Sequence, residues 1–84
     1  MKLWLISQDK NRDYDTYDSA VVAAESEAAA REMHPGGHTK SVSEMRSVWA
    51  RAWVADLRLV RVRLIGTAIE GTEAGVICAS FSAG

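Results

Sequence analysis

Short apolar runs separated by polar segments predict the secondary structure at the start of this chain. Residues 1–6 (MKLWLI) and 20–24 (AVVAA) have the length and the aliphatic content of strands, and the second run is continuous enough to be covered on both faces. The polar segment 9–15 between them is rich in Asp and Asn, which favour turns. The two runs are therefore predicted to be antiparallel neighbours joined by a hairpin loop that ends at Ser19.

A helix is predicted directly after the second strand. Ser26 can cap its N-terminus, Glu27 lies in its first turn, and residues 28–30 are alanines, the strongest helix formers. Pro35 disfavours helical backbone at the residue before it, and the glycines that follow open a turn. The helix is therefore expected to stop at the segment His34-Pro35-Gly36-Gly37, with His34 outside the helical region.

The segment from Ser41 to Val54 has two interpretations. Ser41 and Glu44 fit a capping box, and apolar residues follow at helical intervals, at Met45, Val48, Trp49, Ala52 and Trp53. This pattern favours a short amphipathic helix, and the alternative is a loop that becomes extended near Trp53. Two tryptophans at this spacing are expected to anchor a core, whereas an exposed pair would mark a recognition surface.

Alternation with a period of two predicts the third strand at residues 59–65. Val60, Val62 and Leu64 take one face, Arg61 and Arg63 take the other, and Gly66 ends the strand. Residues 70–75 are predicted to turn, and 76–81 to form a last strand that pairs with its predecessor. The fold class is α+β, with a small, mostly antiparallel sheet of about four strands in the order β-β-α-(α or loop)-β-β and one or two short helices.

Composition restricts the architecture and the partners. The 84 residues permit one domain, residues 1–84, and 48% hydrophobic with 25% charged residues is typical of globular chains. A net charge of -1 predicts no strong general attraction to nucleic acid or to anionic membranes. Cys78, the single cysteine, is expected to be a buried thiol, and the apolar N-terminal run is too short for a signal peptide, which indicates a cytoplasmic protein.

Motifs of the common enzyme and metal sites are missing from the sequence. There is no Gly-x-Ser-x-Gly elbow, phosphate-binding loop or dinucleotide fingerprint. His34 and His38 flank a Pro-Gly turn, which breaks the helical geometry that a zinc pair at this spacing requires. Tyr14 and Ala20 stand where a calcium loop starting at Asp9 needs Gly and Glu. We therefore expect no enzyme activity, no metal and no cofactor.

Two surfaces are candidates for binding. The first combines acids with aromatic rings in and after the predicted hairpin loop, at Asp9, Asp13, Tyr14, Asp15, Tyr17 and Asp18. Carboxylates pair with Lys and Arg of a partner and rings supply contact area, although the same residues also suit a solvated loop. The second is a basic strand face with Arg58, Arg61 and Arg63, which is either a phosphate contact or an ordinary wet face.

Several stretches together resemble small phage- and prophage-encoded proteins of mostly unknown function. These are the opening KLWLI, YDTYDSAVVAAESEAAAREMHP (14–35), Trp53-Val54, LVRVRLIGTA (59–68) and GVICASFSAG (75–84), which leave residues 36–51 unmatched. In size and character the chain is similar to anti-CRISPR proteins.

The resemblance implies a non-enzymatic inhibitor in the cytoplasm of a bacterial host. Such an inhibitor binds a CRISPR-Cas surveillance complex and blocks its recognition of target DNA, without direct contact to nucleic acid or membrane, as a monomer or a weak homodimer. The alternative function is that of a nucleic-acid-binding or structural accessory phage protein that uses the basic strand face.

Overall fold

A computed structural model describes residues 1–11, 16–36, 53–54 and 56–82 of the chain. The strands are β1 (Lys2–Ser7), β2 (Thr16–Ala24), β3 (Arg61–Thr67) and β4 (Gly75–Ser82). One helix, α1 (Glu27–Arg31), follows β2, and a 3₁₀ turn at Leu57–Leu59 precedes β3. The predicted helix at 41–54 lies outside the described residues except for Trp53 and Val54, both of which are buried.

The four strands form one antiparallel sheet in the order β3-β1-β2-β4. The predicted hairpin of the first two strands is confirmed, since Lys2 pairs with Ala24 and Ser7 with Ser19. The α+β class holds in a coarse sense only, because the described residues are mostly strand with one short helix and the 3₁₀ turn.

The predicted pairing of β4 with β3 is wrong. β3 pairs with β1 and β4 pairs with β2, so the two strands lie at opposite edges of the sheet. The turn residues 70–75 were the basis of that prediction, but the connection from residue 68 to residue 74 is long enough to pass the ends of β1 and β2. Both strands of the central hairpin thereby gain a neighbour, and each hydrogen-bonds on both sides.

The boundaries of two strands differ from those predicted. β2 begins at Thr16 rather than Ala20, because pairing with β1 extends to Ser19 and pairing with β4 continues to Thr16. The Gln8 amide also donates to the Asp18 carbonyl at 3.0 Å. β3 begins at Arg61 and continues past Gly66 to Thr67, and a register shift against β1 leaves Ile65 as the extra residue between the Leu64 and Gly66 pairs. Thus hydrogen bonding to a neighbour, rather than local propensity, decides where these strands start and stop.

The helix is shorter than predicted, although its cap is confirmed. The Ser26 hydroxyl accepts a hydrogen bond from the Ala29 amide at 3.2 Å, as an N-cap does. The helix ends at Arg31, and the Met33 amide bonds back to the Ala30 carbonyl in a tightened last turn. His34 follows the helix and is buried. Its Nδ1 accepts a hydrogen bond from the Gly36 amide at 2.9 Å.

The core lies on one face of the sheet, beneath α1 and Trp53. Its buried residues are Trp4, Ile6, Ala20, Val22, Ala24, Ala30, Trp53, Val54 and Val60. The Arg31 guanidinium donates to the carbonyls of Leu57 and Val60, which joins the helix to the start of β3. Burial of these apolar side chains is the main stabilising contribution to a fold of this size.

The opposite side of the sheet, called here the open face, is only partly covered. Leu3, Leu5 and Val21 are half-buried there, whereas Arg61 and Arg63 are exposed as the alternation predicted. Cys78 was expected to be buried and is exposed, because β4 is an edge strand and Cys78 pairs with Val21 on this face. No helix among the described residues is long and apolar enough to cross a membrane.

Candidate partner-binding site

A row of polar residues crosses all four strands on the open face. Ser7 of β1 pairs with Ser19 of β2 and with Arg61 of β3, and Ser19 pairs with Ser80 of β4. Residues directly opposite each other in antiparallel strands project from the same face. The row therefore places a guanidinium and three hydroxyls in a line near the β1–β2 loop.

An open groove of about 660 Å³ lies along this polar row. Its described lining consists of Ser7, Gln8, Asp9, Asn11, Thr16, Asp18, Ser19, Arg61, Ser80 and Phe81. All of these residues except Phe81 are polar or charged. Such a groove can take a side chain or a loop of a partner, and Asp18, Arg61 and Ser80 are its exposed polar residues.

Gln8 organises the start of the hairpin loop, a role that the sequence analysis missed. Its buried side chain donates from Nε2 to the carbonyls of Asn11 (2.7 Å) and Tyr17 (2.9 Å). Its Oε1 accepts from the amides of Lys10 (2.9 Å) and Asn11 (2.7 Å). A polar residue directly after a buried strand was the available signal. The consequence is that Asp9 is held between fixed backbone groups at the edge of the groove.

The structure brings together one residue from each predicted binding surface. Arg61 donates to Asp9 Oδ2 at 3.2 Å, and Lys10 Nζ lies 4.0 Å from the other oxygen of the same carboxylate. The acidic loop and the basic strand are therefore one mixed surface rather than two separate patches. Asp18, from the acidic set, is exposed and lines the same groove.

The remaining arginines of the basic set lie away from the groove. Arg58 makes a two-point ion pair with Asp56, with Nε–Oδ1 and NH2–Oδ2 distances of 3.1 and 2.9 Å. The side-chain hydrogen bond from Arg58 lowers the pKa of Asp56, and that carboxylate in turn raises the pKa of Arg58. Arg63 is exposed and makes no ion pair with a described residue. Two of the three arginines thus already have carboxylate partners.

Tyr17 is mainly a packing residue. Its half-buried ring meets His34 edge-on with centroids 5.9 Å apart, and it lies against Phe81 with centroids 4.7 Å apart. Asp13, Tyr14 and Asp15, which were predicted as contacts, lie outside the described residues. Of the acidic and aromatic set, Asp9 and Asp18 are therefore the residues that the groove brings together.

Within the described ranges, no three His, Cys, Asp or Glu side chains come close enough to hold a metal ion. His34 is buried against Tyr17, and its Nδ1 is occupied by the Gly36 amide. This histidine therefore has a structural role.

The fold and the groove define a small antiparallel-sheet protein with one covered face and one partly open, polar face. The chain matches no protein-family model, no curated protein and no solved structure.

Proposed function

We propose that this protein is a phage-encoded, non-enzymatic inhibitor that binds a bacterial CRISPR-Cas surveillance complex and blocks its recognition of target DNA. The sequence resemblance to small phage proteins motivates the proposal. The observation that supports it most is the open groove, in which Asp9 and Asp18 are accessible to a partner. DNA-binding surfaces are rich in Lys and Arg, and carboxylates recognise both through charge-assisted hydrogen bonds.

Asp9 can exchange its present partner for one on another protein. The side chains of Asp9 and Arg61 are 39% and 73% exposed, so their ion pair lies in a strongly solvated environment. Exposed pairs of this kind contribute about 0–1 kcal/mol, and replacing Arg61 by a partner's arginine therefore costs little. Asp18 offers a second carboxylate at the same groove.

The proposed contact is local and differs from imitation of the DNA backbone. A chain with a net charge of -1 lacks the dense negative field that a DNA mimic presents. Affinity would instead come from a few paired carboxylates together with apolar contact, for which exposed Phe81 lines the groove.

A plasmid-interference assay tests the proposal. Cells with an active CRISPR-Cas system that express the wild-type protein are expected to retain a targeted plasmid. The variant with Asp9→Asn and Asp18→Asn keeps the shape of both side chains and removes both charges. It is expected to bind the surveillance complex about a hundredfold more weakly, so that cells expressing it lose the targeted plasmid. Its matched control carries Glu70→Gln and Glu73→Gln, two exposed residues in the β3–β4 connection at the other end of the sheet.

Two results would overturn the proposal. One is loss of the targeted plasmid in cells that express the wild-type protein, whichever type of CRISPR-Cas surveillance complex the cells contain. The other is undiminished inhibition by the Asp9/Asp18 variant, which would remove the groove from the contact.

Nucleic-acid binding is the second candidate function, because Arg58, Arg61 and Arg63 are all exposed on the β3 side of the sheet. It has less support, since Asp56 and Asp9 already neutralise two of the three arginines. It requires DNA or RNA binding that weakens steeply with salt. The inhibitor predicts binding to a protein complex and no salt-dependent binding of free nucleic acid.

A further inference from the structure

The two edges of the sheet differ sharply in charge. β3 carries Arg61 and Arg63 and follows Arg58, whereas β4, with the sequence GVICASFS, has no charged residue and no proline. Natural edge strands are commonly protected by charges, prolines or a covering segment, because an unpaired strand edge is a template for another strand. Charges therefore protect β3, whereas β4 has neither a charge nor a proline to protect it.

The side chains of β4 are exposed from Ile77 to Phe81. β4 pairs with β2 on its inner side, and no described strand lies along its outer side. Ile77 and Phe81 are 53% and 43% exposed, and Cys78, Ala79 and Ser80 between them are exposed as well. The pairing of Cys78, Ala79 and Ser80 with β2 is free of register shifts, which occur on either side of this segment. The segment 78–80 is therefore the regular centre of an apolar edge.

We propose that β4 pairs antiparallel with β4 of a second copy of this chain. An antiparallel strand pair with a twofold axis is self-complementary, so the strand supplies both donors and acceptors for its own copy. Because β4 is uncharged, the two copies bring no like charges into opposition along the seam. The small hydroxyl and apolar side chains of β4 suit a second copy of the same strand, because none of them is placed opposite a charge.

The geometry of this pairing follows from the symmetry. With the axis at Ala79, each Cys78 lies opposite Ser80 of the other copy, and the sheet grows to eight strands. An axis perpendicular to the sheet keeps both open faces on one side and both α1 helices on the other. Ser80 and Phe81 also line the groove, so the two grooves lie near the seam on either side of the axis. This inference concerns assembly and does not depend on the proposed inhibitory function.

Sedimentation equilibrium of the full chain tests the pairing. We expect a monomer–dimer equilibrium in the wild-type protein. Ile77→Lys places a charge on the seam in each copy and is expected to raise the dimer dissociation constant about tenfold or more. The matched control is Ile65→Lys, an equally simple change at an exposed isoleucine of β3, which is expected to leave the dissociation constant unchanged. Circular dichroism establishes that both variants are folded.

A cysteine placed on the axis gives an independent measurement. In a Cys78→Ser background, Ala79→Cys is expected to form an intermolecular disulfide rapidly on mild oxidation, because residues opposite each other across strands lie within bonding range. Leu64→Cys in the same background, exposed on β3, is expected to cross-link only at the slow rate of random collision.

Three outcomes contradict the pairing. They are a monomer at concentrations up to about 1 mM, a dimer that Ile65→Lys disrupts while Ile77→Lys does not, and equal cross-linking rates for the two cysteine variants. If Ile77→Lys does not fold, the ratio of the Ala79→Cys and Leu64→Cys cross-linking rates decides whether β4 pairs with a second copy.

Discussion

At the scale of single residues, the two buried tryptophans differ in their hydrogen bonding. Trp4 Nε1 donates to the Ala24 carbonyl at 3.0 Å. Trp53 is 1% exposed, and its Nε1 has no acceptor among the described residues. A buried N–H without a partner carries a desolvation cost that a paired one does not. Both rings therefore contribute apolar burial, but only Trp4 adds a hydrogen bond to a described residue.

We predict that Trp4→Phe destabilises the protein more than Trp53→Phe. Both changes remove similar ring volume. Trp4→Phe leaves the buried Ala24 carbonyl without its side-chain donor, whereas Trp53→Phe removes an N–H that has no acceptor among the described residues. The difference in the free energy of unfolding should be about 1–3 kcal/mol. Equilibrium urea denaturation of both variants measures it, and equal losses would contradict this account.

Single residues also show which parts of the site are predictable from sequence. The Ser26 cap and the exposed arginines of β3 follow from local rules and are confirmed. The role of Gln8 was missed, because its four hydrogen bonds join groups that only the folded hairpin brings together. The exposure of Cys78 was missed for a related reason, since its burial depends on whether another strand lies beside β4.

At the scale of elements, the connection between β3 and β4 depends on a glycine conformation. Gly71 has φ +90°, in the region that residues with a Cβ rarely adopt, and a Cβ added there would meet no atom within 4 Å. Any cost of substitution at this position is therefore conformational rather than steric. Gly66, inside β3, also has open space around it but lacks a positive φ.

We expect Gly71→Ala to destabilise the fold by about 1–2 kcal/mol, because the left-handed region is unfavourable for alanine. Gly66→Ala is the matched control and should be neutral or slightly stabilising, since alanine reduces the freedom of the unfolded chain. Thermal unfolding followed by circular dichroism compares the two. A larger loss for Gly66→Ala would show that packing, not backbone conformation, limits these positions.

The presence of each strand and of the helix was more predictable than the residues at which it begins and ends. The runs of apolar and β-branched residues identified all four described strands, and the Ser26 cap with its following alanines identified the helix after β2. The ends of β2, β3 and α1 were misplaced, because they depend on pairing with β1 and β4 and on the burial of His34. Local propensity contains neither of these long-range contacts.

At the scale of the whole molecule, hydrogen bonding is unequal across the sheet. β1 and β2 have a described neighbour on both sides, whereas β3 and β4 have one on a single side. We predict that amide hydrogen exchange is slowest in β1 and β2, and that the outward amides of β3 exchange quickly, because local opening is easier where fewer contacts must break. Exchange followed by NMR measures this order, and protection of β3 equal to that of β1 would contradict it.

The order of the strands could not be predicted from the sequence. Turn residues near Gly71 indicate a change of direction, but they do not say whether the chain returns beside β3 or passes to the far edge. That choice depends on the two unpaired edges of the β1–β2 hairpin, each of which gains hydrogen bonds from a new neighbour. The groove could not be predicted from the sequence for the same reason, because its residues come from all four strands and from the loop after β1.

The length of the β3–β4 connection decides whether β4 lies beside β2 at the far edge of the sheet or beside β3. The path from one edge strand to the other spans three strand spacings, about 14 Å, which residues 68–74 can cover and a two-residue turn cannot. A shortened connection would leave the far edge out of reach and force β4 to fold back beside β3. The polar row would then be broken at Ser19, so a deletion distant from the groove would dismantle it.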